Sequence, residues 1–179
     1  MLLRALEARQ MALKLIANVT YGYMSASMSG RMPCSEIGDT IVETGRRTLA
    51  AAMDMAESTI DLGPAGKARV VYGDTDSLFV SLPGATVESA FDIADELERR
   101  VTAANPRPLR LKFEKVYYPC ILPAKKRYAG WAHFHRGQPP RLDTKGMETV
   151  RRDAPPIVAS LLREALKCTF IINNFVCFM

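Results

Sequence analysis

The sequence predicts an α+β fold, a small antiparallel sheet packed with helices on one face. Three observations point there: two helix-length stretches come first, the apolar period drops from about 3.6 to 2 near Ala68, and the later strand-like runs are joined by short turns with one more long helix among them. The 179 residues, 48% of them hydrophobic, suffice for one compact domain with a real core.

The elements follow in order. Leu2, Leu6, Leu13, Ile16 and Ala17 share one face of a helix from Leu2 to Tyr21, with Gly22 as its expected stop. Pro33 and Ser35 open a second helix whose stripe runs through Ile37, Ile41, Ala52 and Met55 and ends by Gly63. Ala68 to Tyr72 and Leu78 to Leu82 are β-prone runs flanking Gly73-Asp74-Thr75-Asp76-Ser77, a hairpin with an acidic tip. Thr86 caps a third helix that gathers Phe91, Ala94, Leu97 and Val101 on one face, and Asn105-Pro106 stops it. Leu109 to Tyr118 and Arg127 to Phe134 read as strands. A Gly137 to Pro140 loop leads to a short strand, and Pro155 opens a last helix through Leu166.

Lys and Arg number 24 against 19 Asp and Glu, a net charge of +5 that favours a polyanionic partner without naming it. Cys34, Cys120, Cys168 and Cys177 form no CxxC pair, and only His133 and His135 could help them, so a reduced intracellular setting is expected rather than a zinc site. The apolar tail from Thr169 to Met179 is broken by Asn173 and Asn174 and is too short to span a bilayer, so no membrane partner is expected.

Asp74 and Asp76 stand two residues apart; in extended backbone both carboxylates would point the same way, a convergent pair of hard oxygen ligands suited to Mg²⁺. A polar turn bonding its own backbone is the commoner fate of a bare Asp-X-Asp, and both readings stay open on these residues alone. Gln10, Lys14, Asn18 and Tyr21 recur at helical spacing as a polar stripe, which reads as a solvated face or as a surface for a triphosphate and a base. Lys125, Lys126, Arg127 and Tyr128 form a basic run between strands, which reads as a solvated loop or as a grip on duplex phosphates. Phe113, Tyr117, Tyr118 and Trp131 read as sheet packing, and His133 and His135 receive no role.

Together these segments carry a resemblance. Tyr72-Gly73-Asp74-Thr75-Asp76-Ser77 resembles, letter for letter, the carboxylate motif of family B DNA polymerases, and Arg9 to Gly22 is similar to that family's fingers motif. Lys125-Lys126-Arg127-Tyr128 resembles its KKRY motif, Phe113-Glu114-Lys115 also matches, and Lys145 to Asp153 resembles its palm-to-thumb junction. Val19 in place of the usual serine, then Thr20 and Ser29 to Cys34, looks like the zeta branch of the family.

The resemblance implies a family B palm preceded by a fingers helix: residues 1–32 the end of the fingers, 33–150 the palm, 151–168 the start of the thumb and 169–179 an atypical tail. It implies template-directed DNA synthesis of translesion type by a two-metal Mg²⁺ site. Asp76 would be the main ligand, with Asp74 beside it and Glu114 auxiliary. Lys14 would meet the incoming deoxynucleoside triphosphate, Asn18 would support its pocket, and Tyr21 would face the nascent pair. Lys125 to Tyr128, with Arg151 and Arg152, would hold primer-template DNA, and a nuclear enzyme with accessory subunits is implied. The family's serine-leucine-tyrosine-proline motif, which supplies a further catalytic aspartate, does not occur before Arg9. A catalytically incomplete, DNA-binding piece or a truncated gene model is therefore the alternative expectation.

Overall fold

The computed structural model describes residues 2–26, 33–60, 62, 66–172 and 177–178. Positions 29–32 of the branch-specific segment, the expected helix end at Gly63 and positions 173–176 and 179 of the tail lie outside them. The chain forms two compact units, residues 1–48 and 49–179.

In the first unit, α1 (Leu2–Ser25) runs past Gly22: the Ala26 N–H still donates to the Gly22 carbonyl at 3.2 Å. A glycine inside a helix costs about 1 kcal/mol against alanine, but it ends the helix only where the chain turns left-handed, and Gly22 does not take a positive φ. No described residue of α1 is buried. The second helix, α2 (Ser35–Thr59), begins in this unit, with the Gly38 N–H donating to the Cys34 carbonyl. Its expected stripe divides, since Ile37 and Ile41 are exposed while Ala52 is buried.

The second unit holds an antiparallel sheet of β1 (Arg69–Asp74), β2 (Ser77–Ser81), β3 (Val116–Ala124), β4 (Arg127–His133), β5 (Arg141–Lys145) and β6 (Cys177–Phe178). Their spatial order is β1-β2-β6-β3-β4-β5, so the two-residue β6 joins the β1-β2 hairpin to the β3-β4-β5 meander. Between β2 and β3 lies α3 (Val87–Ala104), opened by a capping box in which Thr86 and Ser89 satisfy each other's backbone N–H, and α4 (Pro156–Ile172) follows β5. This is the expected fold class: α+β, antiparallel, with helices on one sheet face.

Strand alternation makes the faces. Leu78, Val80 and Val116 join Ala52 and Ala56 of α2 and Ala90, Phe91, Ala94, Leu97 and Val101 of α3 in the main core, and Ala129 packs with Leu166 and Phe170 of α4. Their neighbours Phe79 and Tyr117 point the other way, into a cluster with Cys120, Ala132, Tyr72 and Tyr128. A bulge between Val70 and Tyr72 keeps Tyr72 on the Phe79 side.

Two further boundaries differ from expectation. Residues 109–115 are not strand: α3 side chains satisfy their backbone, with the Leu111 N–H donating to Thr102 Oγ1 at 3.1 Å and the Phe113 N–H to Glu98 Oε2 at 2.6 Å, so β3 begins only at Val116. The last helix passes Leu166 to Ile172, because Leu166 and Phe170 share the face that packs on Ala129.

Candidate active site

The acidic tip grows from the β1-β2 hairpin. Asp74 and Ser77 are the last paired residues, and between them Thr75 adopts φ 44°, a left-handed conformation rare for a β-branched residue. The Asp76 N–H donates back to the Asp74 carbonyl, and Ser77 Oγ donates to the same carbonyl at 3.2 Å. Because Thr75 is not extended, strand alternation does not point the Asp74 and Asp76 carboxylates the same way. Asp74 Oδ2 lies 3.5 Å from Lys126 Nζ, whereas Asp76 lines a cavity with Leu78, Lys112, Phe113 and Glu114.

The basic run forms the facing tip. Lys125 and Lys126 are the turn between β3 and β4, and Lys126 has φ 60°. Its backbone is held twice. The Lys126 N–H donates to Tyr72 Oη at 2.8 Å, and its carbonyl lies where a Cβ on Gly146 (φ 65°) would sit only 2.1 Å away. Arg127 Nη1 lies 3.5 Å from Glu148 Oε1, so two of the three exposed cations of the run face carboxylates, while Lys125 faces none among the described residues.

Beneath the tips, Phe79 meets Tyr128 edge-on at 4.8 Å and Tyr117 in a stack at 5.9 Å, and Tyr72 completes the group at 5.7 Å from Phe79. Asp143 Oδ2 accepts from Tyr117 Oη at 2.6 Å and from Lys115 Nζ at 2.7 Å, and Lys115 is only 5% exposed. Burial would raise the Asp143 pKa, but the hydrogen bonds from Lys115 and Tyr117 and the charges of Lys115 and Lys145 outweigh it and hold the carboxyl below its ordinary value. Burial, then the Asp143 bond, pushes the Tyr117 phenol far up; burial, then the charges of Asp143 and Glu114, raises Tyr128. In the sequence, Tyr117 reads as packing, Tyr72, Lys115 and Gly146 stand inside matched motifs without a role of their own, and nothing marks Asp143. Lys115 and Asp143 are 28 positions apart, and no local pattern pairs them.

The family model for DNA polymerase family B matches residues 2–174. The chain belongs to DNA polymerase family B. Over 93% of its length it is 57% identical to the DNA polymerase zeta catalytic subunit of Schizosaccharomyces pombe, covering 11% of that protein, and 55% identical to that of Homo sapiens, covering 5%. Over 92% it is 40% identical to the DNA polymerase delta catalytic subunit of Mesocricetus auratus, covering 15%. The chain thus spans a small part of the relatives it matches, and its likeness to the zeta subunits exceeds that to delta, as the residues around Val19 imply.

For a family B chain, the disposition of the expected site residues is clear. Lys14, Asn18 and Tyr21 lie on α1, all exposed, in the first unit; the acidic and basic tips meet in the second. Arg151 is held by Asp153 through two hydrogen bonds, a contact that lowers the Asp153 pKa to about 2, while Arg152 is exposed. Among the described residues no three Asp, Glu, His or Cys side chains gather as a metal cluster. Mg²⁺ needs no such cage, since one or two carboxylates plus water and substrate phosphates suffice. Asp74 already holds a positive group, the Lys126 ammonium, and Asp76 is exposed at the turn, so the donors present fit a hard dication. No helix among the described residues is long and apolar enough to cross a membrane.

Proposed function

We propose that this chain supplies the nucleotide-binding helix, the carboxylate hairpin and the duplex-gripping hairpin of a translesion-type, template-directed DNA polymerase, which joins deoxynucleotides to a primer 3′ end. The docking of the acidic tip on the basic tip, through Tyr72, Asp74 and Lys126, carries the reading. It sets carboxylates for phosphoryl chemistry beside cations that can hold a polyphosphate backbone.

Asp76, with Asp74 and Glu114 as auxiliary, would hold Mg²⁺. When bound, the two ions supply activation of the primer oxygen and neutralisation of the leaving phosphates. On α1, Lys14 places a point charge toward the triphosphate, Asn18 lines the nucleotide pocket, and Tyr21 offers a flat ring to the nascent base pair. Lys125, Lys126, Arg127 and Tyr128 grip the primer-template without reading its sequence, and Arg151 and Arg152 extend that surface. In family terms residues 1–32 are fingers, 33–150 palm, 151–168 the start of the thumb and 169–179 an atypical tail. The intact enzyme would work in the nucleus in DNA repair and replication past lesions, with accessory subunits.

The test is single-nucleotide primer extension with Mg²⁺ by the purified chain, beside an Asp74→Ala/Asp76→Ala control, with duplex binding followed in parallel. Duplex binding by the folded chain is the expected result, and extension that disappears in the control would show that the further aspartate is dispensable. Duplex binding without extension would restrict the chain to gripping DNA, and a folded chain that does neither overturns the proposal.

A further inference from the structure

Resting on that reading, we propose that Lys126 is a displaceable counter-cation that couples divalent-metal binding at Asp74 to duplex binding. In the free chain its ammonium lies 3.5 Å from Asp74 Oδ2, with the Lys126 side chain 74% exposed, so it neutralises the carboxylate at little cost to itself.

The backbone beneath it limits where that ammonium can go. The Lys126 N–H is tied to Tyr72 Oη, its φ is 60°, and Gly146 packs on its carbonyl, so the Cα stays put while the flexible stem swings. Nearby Lys125 sits on the same turn and has no carboxylate against it among the described residues, while Arg127 is turned to Glu148. One cation of the tip is therefore shared between the carboxylate hairpin and the exposed surface.

A dication arriving at Asp74 carries the charge that Lys126 had supplied, and like-charge repulsion drives the ammonium away. Released, it is within one side-chain swing of a duplex laid across the tip, and a phosphate is its next partner. The linkage is reciprocal: a duplex that draws Lys126 off Asp74 leaves a bare carboxylate and raises metal affinity by the same factor. Phosphate that ligates the metal directly adds coupling of its own, so the share owed to Lys126 is the part a variant at that position removes.

The experiment measures the affinity of a fluorescent primer-template with a dideoxy 3′ end for the full chain, with and without Mg²⁺, at constant ionic strength. It is repeated with Lys126→Gln and Lys125→Gln, each checked for folding by circular dichroism, and Mn²⁺ affinity without DNA is measured by titration calorimetry. Lys126→Gln is expected to tighten Mn²⁺ about two- to fivefold, weaken the duplex, and cut the Mg²⁺-induced gain in duplex affinity by a similar factor. Lys125→Gln weakens the duplex and leaves that gain intact. An Mg²⁺ gain that is unchanged in folded Lys126→Gln, or lost equally in both variants, overturns the coupling while the functional reading stands. A folded wild-type chain that binds neither Mn²⁺ nor duplex overturns both.

Discussion

The Lys126 backbone N–H donates to the Tyr72 phenol at 2.8 Å, a bond across 54 positions of sequence that joins the basic turn to the strand leading to Asp74. Because Tyr72 also packs on Phe79, the same side chain ties both tips to the aromatic cluster beneath.

Tyr72→Phe keeps the ring and removes that acceptor. The expected loss of stability is about 1 kcal/mol in urea unfolding, with a weaker hold on duplex DNA because Lys126 loses its backbone anchor. Unchanged duplex affinity would show that the anchor plays no part in binding.

Gly146→Ala asks a residue with a Cβ to adopt φ 65° with that atom 2.1 Å from the Lys126 carbonyl. Strain and collision together are expected to cost about 2 kcal/mol or more, read as a lowered Tm. The variant should also displace the basic turn, so duplex binding falls more than in Gly137→Ala, a variant at a left-handed glycine with open space around it.

Asp143 makes a pH prediction. Its pKa is lower in the folded chain than the ordinary value of about 3.9, so its contribution is complete above that value and is lost as pH falls from about 4 through the folded pKa. Asp143→Asn should flatten that part of the stability-pH curve. At neutral pH it should cost about 3 kcal/mol, because the buried Lys115 ammonium loses its counter-charge.

Lys125 is the cation of the basic turn that has no carboxylate against it among the described residues. Lys125→Gln should lower duplex affinity without changing sequence preference and reduce the slope of log affinity against log salt by about 1. Anisotropy titrations across a salt series give both quantities.

Much of this architecture was legible in the residues. Thr86 and the spacing of Phe91, Ala94, Leu97 and Val101 describe α3 as it stands, and the runs around Asp74 and Asp76 mark a hairpin. Gly22 misled because its flexibility permits a helix end without requiring one. Residues 109–115 misled because a β-prone composition says nothing about where backbone bonds go, and here Thr102 and Glu98 of α3 take them. At the site, every expected residue was visible as a residue type, but not the company it keeps. The turn at Thr75 that separates Asp74 from Asp76, and the pairing of Lys115 with Asp143, depend on tertiary contacts that spacing cannot encode.

The absence of any buried residue along α1 has an energetic consequence under the proposed role of that helix. A helix that buries nothing draws its stability from local propensity, so its amides should exchange with solvent far faster than those of α3, whose inner face is packed. Lys14, Asn18 and Tyr21 then sit on an element whose ordering is cheaper to gain or lose than that of α3. Part of the energy of each correct nucleotide contact would go into ordering that helix, so a poorly fitting nucleotide would forfeit both the contact and the order it induces.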